Sequence, residues 1–281
     1  KCISLMKKPG SLKTIFSTED FHFKSPMDWI YRVHFDGLLI WLIAGDYQLF
    51  AIDLEGNVQF RLQLPGGGNI SNILHNTQDS RYFETLIDRR KTVPVMTSRW
   101  PGEIWLAGNG KPAAESLVNE TYVARATYEN GGRLDIVFRA DREATDRSDD
   151  AQQPMDIMFC PHPGIHIMQI AGKQWLMIPR MQSATFQPYK IHSFICIDLE
   201  KTTNVHVEKQ AFQNIQPEIG TRCSFFPHGN SYFIAERALG TLGYRIIKVS
   251  VGENAESQKW EWTTELIHEK RNPIGSDPFH P

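Results

Sequence analysis

The sequence predicts an all-β protein, and four observations lead to this prediction. Short apolar runs rich in Ile, Val, Phe, Tyr and Trp recur along the 281 residues, turn residues separate them, and helical periodicity is nearly absent. The stretch Glu-Asn-Gly-Gly at 129–132 is a strong signal for a tight hairpin, because such turns need residues that tolerate a positive φ.

The expected strands are clearest in six segments, each short and each bounded by turn residues. They are LLIWLIA (38–44), YQLFAIDL (47–54), NVQFRLQL (57–64), RLDIVFRA (133–140), HSFICIDL (192–199) and YRIIKVSV (244–251). The polar stretch 141–153 interrupts this series and is typical of an exposed loop.

Two of these segments belong to an internal repeat. AIDLEGNVQFRLQL begins at Ala51 and CIDLEKTTNVHVEKQAF begins at Cys196, so both read Ile-Asp-Leu-Glu, a turn, Asn-Val and a strand. Asp53 and Asp198 are 145 positions apart, which would accommodate three repeats of about 48 residues. A rival register aligns glycines at 37, 102, 164 and 229, with intervals of 65, 62 and 65. We prefer the shorter period because the Ile-Asp-Leu-Glu match is longer and includes the following strand.

The shorter period divides the chain into quartets of strands. Four-stranded repeats of about 40 to 50 residues are what the blades of a β-propeller require, because radial stacking buries both faces of each small sheet. We therefore predict a single propeller domain over 1–281, with about five four-stranded blades. The termini would add a sixth blade or close the ring by completing an existing one. A β-sandwich or a split barrel is the alternative fold. The expected blades span 27–64, 70–107, 120–160, 164–212 and 221–267.

The segment LFAIDLEGNVQF resembles the repeats of quinoprotein and WD-like propellers. Those repeats carry an aliphatic residue, an Asp, a turn with Gly and then an aromatic residue, and here Asp53, Gly56 and Phe60 occupy these places. The usual Thr before the Gly is absent, and Phe60 replaces the usual Trp. The resemblance covers 47–64 and, less fully, 192–212. It implies a propeller fold and brings no cofactor with it.

The bulk composition limits the classes of partner. The 30 basic and 32 acidic residues leave a net charge of -2, which argues against a general nucleic-acid binder. No apolar run approaches the roughly 18 residues that a membrane-spanning helix needs. Two glycosylation sequons, at Asn69 and Asn119, slightly favour a secreted over a cytoplasmic protein, and we expect a monomer. Because the first residue is Lys1, we expect a processed product or a fragment. The four cysteines are widely spaced and indicate no disulfide framework.

Propeller ligand sites usually lie on one rim of the central axis, where loops enter the first strands and join the second strands to the third. This expectation comes from the fold resemblance alone. The carboxylates, guanidiniums and aromatic rings at those positions would suit a small molecule, a glycan or a protein. The expected ligand-binding residues are Asp28, Trp29, Tyr47, Arg90, Tyr122, Arg222 and Arg237.

The stretch FCPHPGIHIMQIAG (159–172) groups Cys160, His162 and His166. Thiolate and imidazole are zinc ligands, but the spacing is not that of a zinc finger and no fourth ligand is evident. We therefore predict no metal site and no cofactor. The two prolines indicate a stiff loop that leads into the inner strand of the fourth blade.

The absence of a standard catalytic motif makes a binding module the first functional hypothesis. The alternative is a cofactor-free enzyme with an axial pocket, either a glycan hydrolase or lyase or a small-molecule cyclase or isomerase. His162 or His166 would then act as the acid or base, because imidazole titrates near neutral pH. Asp53 and Asp198 are expected to cap backbone amides in turns rather than to take part in catalysis.

Overall fold

A computed structural model describes thirteen stretches of the chain. They are residues 2–8, 11–21, 30–45, 48–64, 94–110, 120–129, 131–140, 156–158, 165–183, 190–208, 223–237, 244–254 and 259–270. The chain forms two compact units, 1–144 and 145–281. The helix in these stretches is a single 3-10 turn at Thr18–Asp20, and none of them contains a helix of the length and hydropathy needed to cross a membrane.

The first unit contains a two-stranded hairpin and two four-stranded antiparallel sheets among its described residues. The hairpin consists of β1 (Cys2–Lys8) and β2 (Ser11–Ser17). Sheet I has the order β3-β4-β5-β6, with β3 (Ile30–Phe35), β4 (Ile40–Ala44), β5 (Gln48–Ile52) and β6 (Val58–Gln63). Sheet II has the order β10-β9-β8-β7, with β7 (Val95–Thr97), β8 (Glu103–Gly110), β9 (Glu120–Thr127) and β10 (Leu134–Ala140).

Strand β4 explains the continuous apolar run LLIWLIA. Its side chains alternate between the two faces of sheet I. Trp41 and Ile43 pack against sheet II, in a core that includes Leu106. Leu42 faces the other way and packs with Phe16 of the N-terminal hairpin. Because neighbours cover both faces, every position of this strand has to be apolar.

The N-terminal hairpin packs closely against sheet I. The ring of Phe16 packs edge-on against Phe50 of β5, with centroids 5.3 Å apart. Gly56 lies in the turn after β5, and a Cβ at this position would come within 2.6 Å of the carbonyl oxygen of Ile15. Only glycine allows this approach of the hairpin backbone.

The second unit contains sheets III and IV. Sheet III has the order β11-β13-β14-β15, and β12 also pairs with β13, where the strands are β11 (Asp156–Met158), β12 (His166–Ile170), β13 (Lys173–Ser183), β14 (Lys190–Asp198) and β15 (Val205–Glu208). Sheet IV has the order β16-β17-β18-β19, with β16 (Cys223–His228), β17 (Ser231–Arg237), β18 (Tyr244–Glu253) and β19 (Trp260–Lys270).

Two short strands share one edge of β13. Met158 of β11 pairs with Met181, and His166 of β12 pairs with Met177, so the two strands together occupy the place of a first strand. Residues 159–164 connect them, and this part of the predicted stiff loop lies outside the described residues.

Aromatic side chains fill the core between sheets III and IV. Trp262 of β19 stacks on Phe194 of β14 with centroids 5.4 Å apart, and Trp260 meets Trp175 edge-on at 4.8 Å. The shared apolar cluster also contains Val249 of β18. These tryptophans pack one sheet against the next.

The sheets confirm the predicted all-β fold, since four-stranded antiparallel sheets packed face to face are the building blocks of a β-propeller. The division into blades differs from the prediction, however. Ala107 pairs with Val123 in sheet II, although the predicted boundary between 107 and 120 separates them. Gly37, Gly102 and Gly229 all have a positive φ in the turn between the first two strands of a sheet. The rival glycine register therefore marks the first turns of these three sheets.

Candidate functional site

Most residues predicted to bind a ligand lie outside the described part of the chain. These are Asp28, Trp29, Tyr47, Arg90 and Arg222, together with His162 of the predicted acid–base pair. Arg237 ends strand β17, where only the backbone is described. Tyr122 and His166 are the two whose side chains are described, and they lie in different units.

Tyr122 packs in the core between sheets I and II and is only 3% exposed. It pairs with Gly108 of β8 across sheet II. A Cβ at Gly108 would lie 3.0 Å from the phenol oxygen of Tyr122 and 2.9 Å from the ring of Pro94. Because the ring occupies this space, Tyr122 serves packing, and we do not include it in the proposed ligand site.

His166 is largely buried on the face of β12 that also carries Met168. Burial lowers the pKa of His166 from 6.5 to about 4. The imidazole is therefore neutral at pH 7 and has no extra proton to donate. This environment does not favour the predicted role of a general acid near neutral pH.

Asp53 and Asp198 cap equivalent turns in sheets I and III. Oδ1 of Asp53 accepts hydrogen bonds from the backbone amides of Glu55, Gly56 and Asn57, at 2.8 to 3.0 Å. Oδ1 of Asp198 accepts from the amides of Glu200 and Lys201, at 2.9 and 3.2 Å. The predicted capping role is confirmed, and both carboxylates are committed to their turns.

A distinct group of residues comes together at one end of the first unit. In an antiparallel sheet the first and third turns lie at the same end. In sheets I and II these four turns follow β3, β5, β7 and β9. Asp36 connects two of them. Its Oδ2 accepts from the backbone amide of Gly102 at 2.7 Å and from the indole N–H of Trp41 at 2.6 Å. Its Oδ1 accepts from the amides of Leu38 and Leu39.

His34 and Ser98 form a second link between sheets I and II. Nε2 of His34 lies 2.7 Å from Oγ of Ser98, which is the contact that a catalytic base makes with a nucleophile. Burial lowers the pKa of His34, although the charge of Asp36 opposes the effect. Both carboxylate oxygens of Asp36 accept hydrogen bonds from other donors. Asp36 therefore does not orient His34 in the way that the carboxylate of a catalytic triad orients its histidine. We interpret the pair as structural.

Exposed apolar side chains surround this linked pair of turns. We define the Trp100 patch as Leu38, Trp100, Pro101 and Tyr128. Leu38, Trp100 and Tyr128 are 48%, 52% and 41% exposed. A Cβ at Gly102 would lie 3.5 Å from Cβ of Tyr128 and 3.9 Å from Cδ2 of Leu38, so these side chains are neighbours. The guanidinium of Arg99 lies 4.7 Å from the ring centroid of Trp100. Such a contact holds an exposed indole in place.

Comparisons with known proteins do not assign this chain to a family. No protein-family model and no curated protein matches the chain. The solved structures that it resembles include the Dos1 propeller, with 11% identity and a TM-score of 0.42 over 85% of this chain. The chain spans 48% of the length of that structure. BamB from Moraxella catarrhalis is a more distant neighbour, with 8% identity and a TM-score of 0.25 over 73% of this chain and 68% of BamB. The assignment of a candidate site therefore rests on this chain's own geometry.

Proposed function

We propose that this protein is a binding module that docks another protein on its Trp100 patch. The observation that carries the proposal is that Leu38, Trp100 and Tyr128 are exposed on turns at one end of the first unit, with Leu38 and Tyr128 both within 4 Å of the Cβ position of Gly102. Isolated apolar residues are common on protein surfaces, but a group that includes Trp and Tyr is typical of the centre of a protein interface. The partner would present an apolar surface of its own.

The backbone under the patch supports this proposal. Asp36 binds the amides of its own turn and that of Gly102 in the neighbouring turn, so the two turns that carry Leu38 and Trp100 are connected. The side chain of Tyr128 donates a hydrogen bond to Gln59 of sheet I at 3.2 Å. Side chains that are already in position lose less conformational entropy on binding, which favours tight association.

Site-specific photo-crosslinking tests the proposal. A benzophenone amino acid replaces Trp100 in one version of the chain and Leu54 in another. Leu54 is a matched control because it is also exposed and apolar and lies in a turn at the same end of the first unit. We expect a discrete crosslinked protein from position 100 and not from position 54. Identical products from both positions would count against the patch.

The identified partner is then purified, and its affinity is measured for the unmodified chain and for Trp100→Ala. Unchanged affinity would show that capture at position 100 was adventitious. This affinity measurement distinguishes specific docking from nonspecific binding.

The loop residues selected from the sequence form a separate proposal. Asp28, Trp29, Tyr47, Arg90, Arg222 and Arg237 would bind a small molecule, a glycan or a protein at the rim of the predicted propeller axis. Glycan-array binding by the chain and by Asp28→Ala and Arg222→Ala variants tests the glycan version. Glycan binding that both substitutions leave intact would contradict the assignment.

A further inference from the structure

The turn that carries Trp100 is attached to strand β3 at its first residue. We call residues 98–102, which lie between β7 and β8, the Trp100 turn. Oγ of Ser98 lies 2.7 Å from Nε2 of His34, close enough for a hydrogen bond between the two half-buried side chains. Neither residue belongs to the Trp100 patch, yet Ser98 is close in the chain to the exposed indole.

The same turn is attached to the end of β3 at its last residue as well. The backbone amide of Gly102 donates to the carboxylate of Asp36, which follows β3 directly. His34 and Asp36 are alternate residues, and alternate side chains of an extended chain point to the same side. One short segment of sheet I therefore holds both ends of a turn of sheet II, and the indole lies between the two contacts.

These two contacts determine where the indole lies relative to the rest of the patch. Trp100 is 52% exposed, and its contact with the guanidinium of Arg99 lies within the same turn. A contact inside the turn does not fix the turn against its neighbours. Leu38 and Tyr128 belong to other turns, so the attachments at the ends of the Trp100 turn set the position of the indole beside them.

We propose, on the basis of the docking function proposed above, that His34 and Ser98 are positioning residues for the Trp100 patch. Their contact holds the Trp100 turn in the shape that the partner binds, which reduces the conformational entropy lost on association. Breaking this contact loosens the turn in the free chain and weakens the binding of the partner.

Amide hydrogen exchange of the free chain, followed by NMR, tests whether the contact holds the turn. Ser98→Ala should speed exchange of the Gly102 amide by about 5-fold, because the loss of a hydrogen bond makes local opening easier. Ser98→Thr keeps the hydroxyl and should exchange like the unmodified chain. The Gly56 amide is the internal control, because it donates to the carboxylate of Asp53 in another turn of the same unit, and its exchange should not change.

Calorimetry with the partner identified by crosslinking tests the consequence for docking. Ser98→Ala should weaken binding by about 3- to 10-fold, and Ser98→Thr should restore the affinity. His34→Ala should weaken binding to a similar extent, whereas His34→Gln should restore it, because the Gln amide reaches about the position of Nε2 and can bond to Ser98. The double variant His34→Ala/Ser98→Ala should lose no more affinity than either single variant, since each removes the same contact.

Unchanged exchange of the Gly102 amide in Ser98→Ala would overturn the proposal without any partner, and so would equal acceleration at Gly56. Affinity that is lost in Trp100→Ala but retained in Ser98→Ala would overturn it and leave the docking function intact. Affinity retained in Trp100→Ala would contradict the docking function and, with it, the positioning role.

Discussion

The backbone amide of Gly102 donates a 2.7 Å hydrogen bond to the buried carboxylate of Asp36. The two residues are 66 positions apart and belong to the first turns of neighbouring sheets. The same carboxylate oxygen binds the indole N–H of Trp41, which reaches it from the core. Asp36 thereby connects the core to the surface turns that carry the Trp100 patch.

Replacing Asp36 with Ala should therefore lower the free energy of unfolding by about 3 kcal/mol, because buried donors lose a charged acceptor. Urea denaturation measures this change. Glu55→Ala is the control, since its exposed side chain lies in a nearby turn, and it should cost less than about 0.5 kcal/mol. A loss for Asp36→Ala as small as that of the control would show that Asp36 does not link the turns.

Substitution of Gly56 tests whether the N-terminal hairpin packs against the turn after β5. Gly56→Ala would force a Cβ to within 2.6 Å of the carbonyl oxygen of Ile15, at a φ of +101°. Gly131→Ala is the matched control, because its φ is +65° and nothing lies within 4 Å of the added Cβ. Backbone strain alone should cost about 1 to 2 kcal/mol at Gly131. We expect a larger loss at Gly56 in denaturant titrations, and equal losses would contradict the described hairpin contact.

His166 should make the stability of the second unit depend on pH. Its folded-state pKa is about 4 and its ordinary value is 6.5, so between these values the unfolded chain binds more protons. The stability is therefore present above pH 6.5 and is lost as the pH falls towards 4, by about 3 kcal/mol in total. His166→Leu should remove this part of the pH dependence, as measured by urea midpoints across that range. If the urea midpoint of the variant depends on pH as steeply as that of the unmodified chain, the imidazole of His166 is exposed to solvent and not buried.

Asp53 and Asp198 should contribute a second pH dependence at lower pH. Hydrogen bonds, first of all from the side chain of Asn57, hold the pKa of Asp53 below 3.8. Burial raises the pKa of Asp198, but the amides of Glu200 and Lys201 and other partners outweigh it and lower the net value. A lowered carboxyl pKa stabilises the fold above the ordinary value, and this is lost as the pH falls through the folded-state value. The double variant Asp53→Asn/Asp198→Asn should flatten the acid limb of the urea midpoint curve, and an unaltered limb would contradict the capping account.

The features that could be predicted from the sequence are those that depend on residues close together in the chain. The buried run around Trp41 and the Asp turns at 53 and 198 depend on neighbours in the chain, so strand and turn patterns reveal them. The Asp turns do not mark every described sheet. Asp53 and Asp198 cap the third turns of sheets I and III, whereas sheet II turns through Tyr128 and Gly132 without such an Asp. Among the described residues, the two Asp turns therefore mark sheets I and III but not sheet II, which lies between them in the chain.

Local sequence patterns could not predict the Trp100 patch. Leu38, Trp100 and Tyr128 come from three turns in two sheets, and only the pairing of those sheets brings them together. The sequence did contain one usable signal. The Gly37 and Gly102 motifs, HFDG and RWPG, mark equivalent turns, and each turn places an apolar side chain next to its glycine. An alignment on these glycines would have paired Leu38 with the Trp100 turn.

The most direct test of the proposed function is the dissociation constant of the crosslinked partner, measured by calorimetry against three versions of the chain. We expect Trp100→Ala to weaken binding by about 10-fold or more, because a buried Trp is a frequent anchor of protein interfaces. Leu54→Ala should bind as tightly as the unmodified chain. Equal affinity of Trp100→Ala and the unmodified chain would contradict the claim that this protein docks its partner on the Trp100 patch.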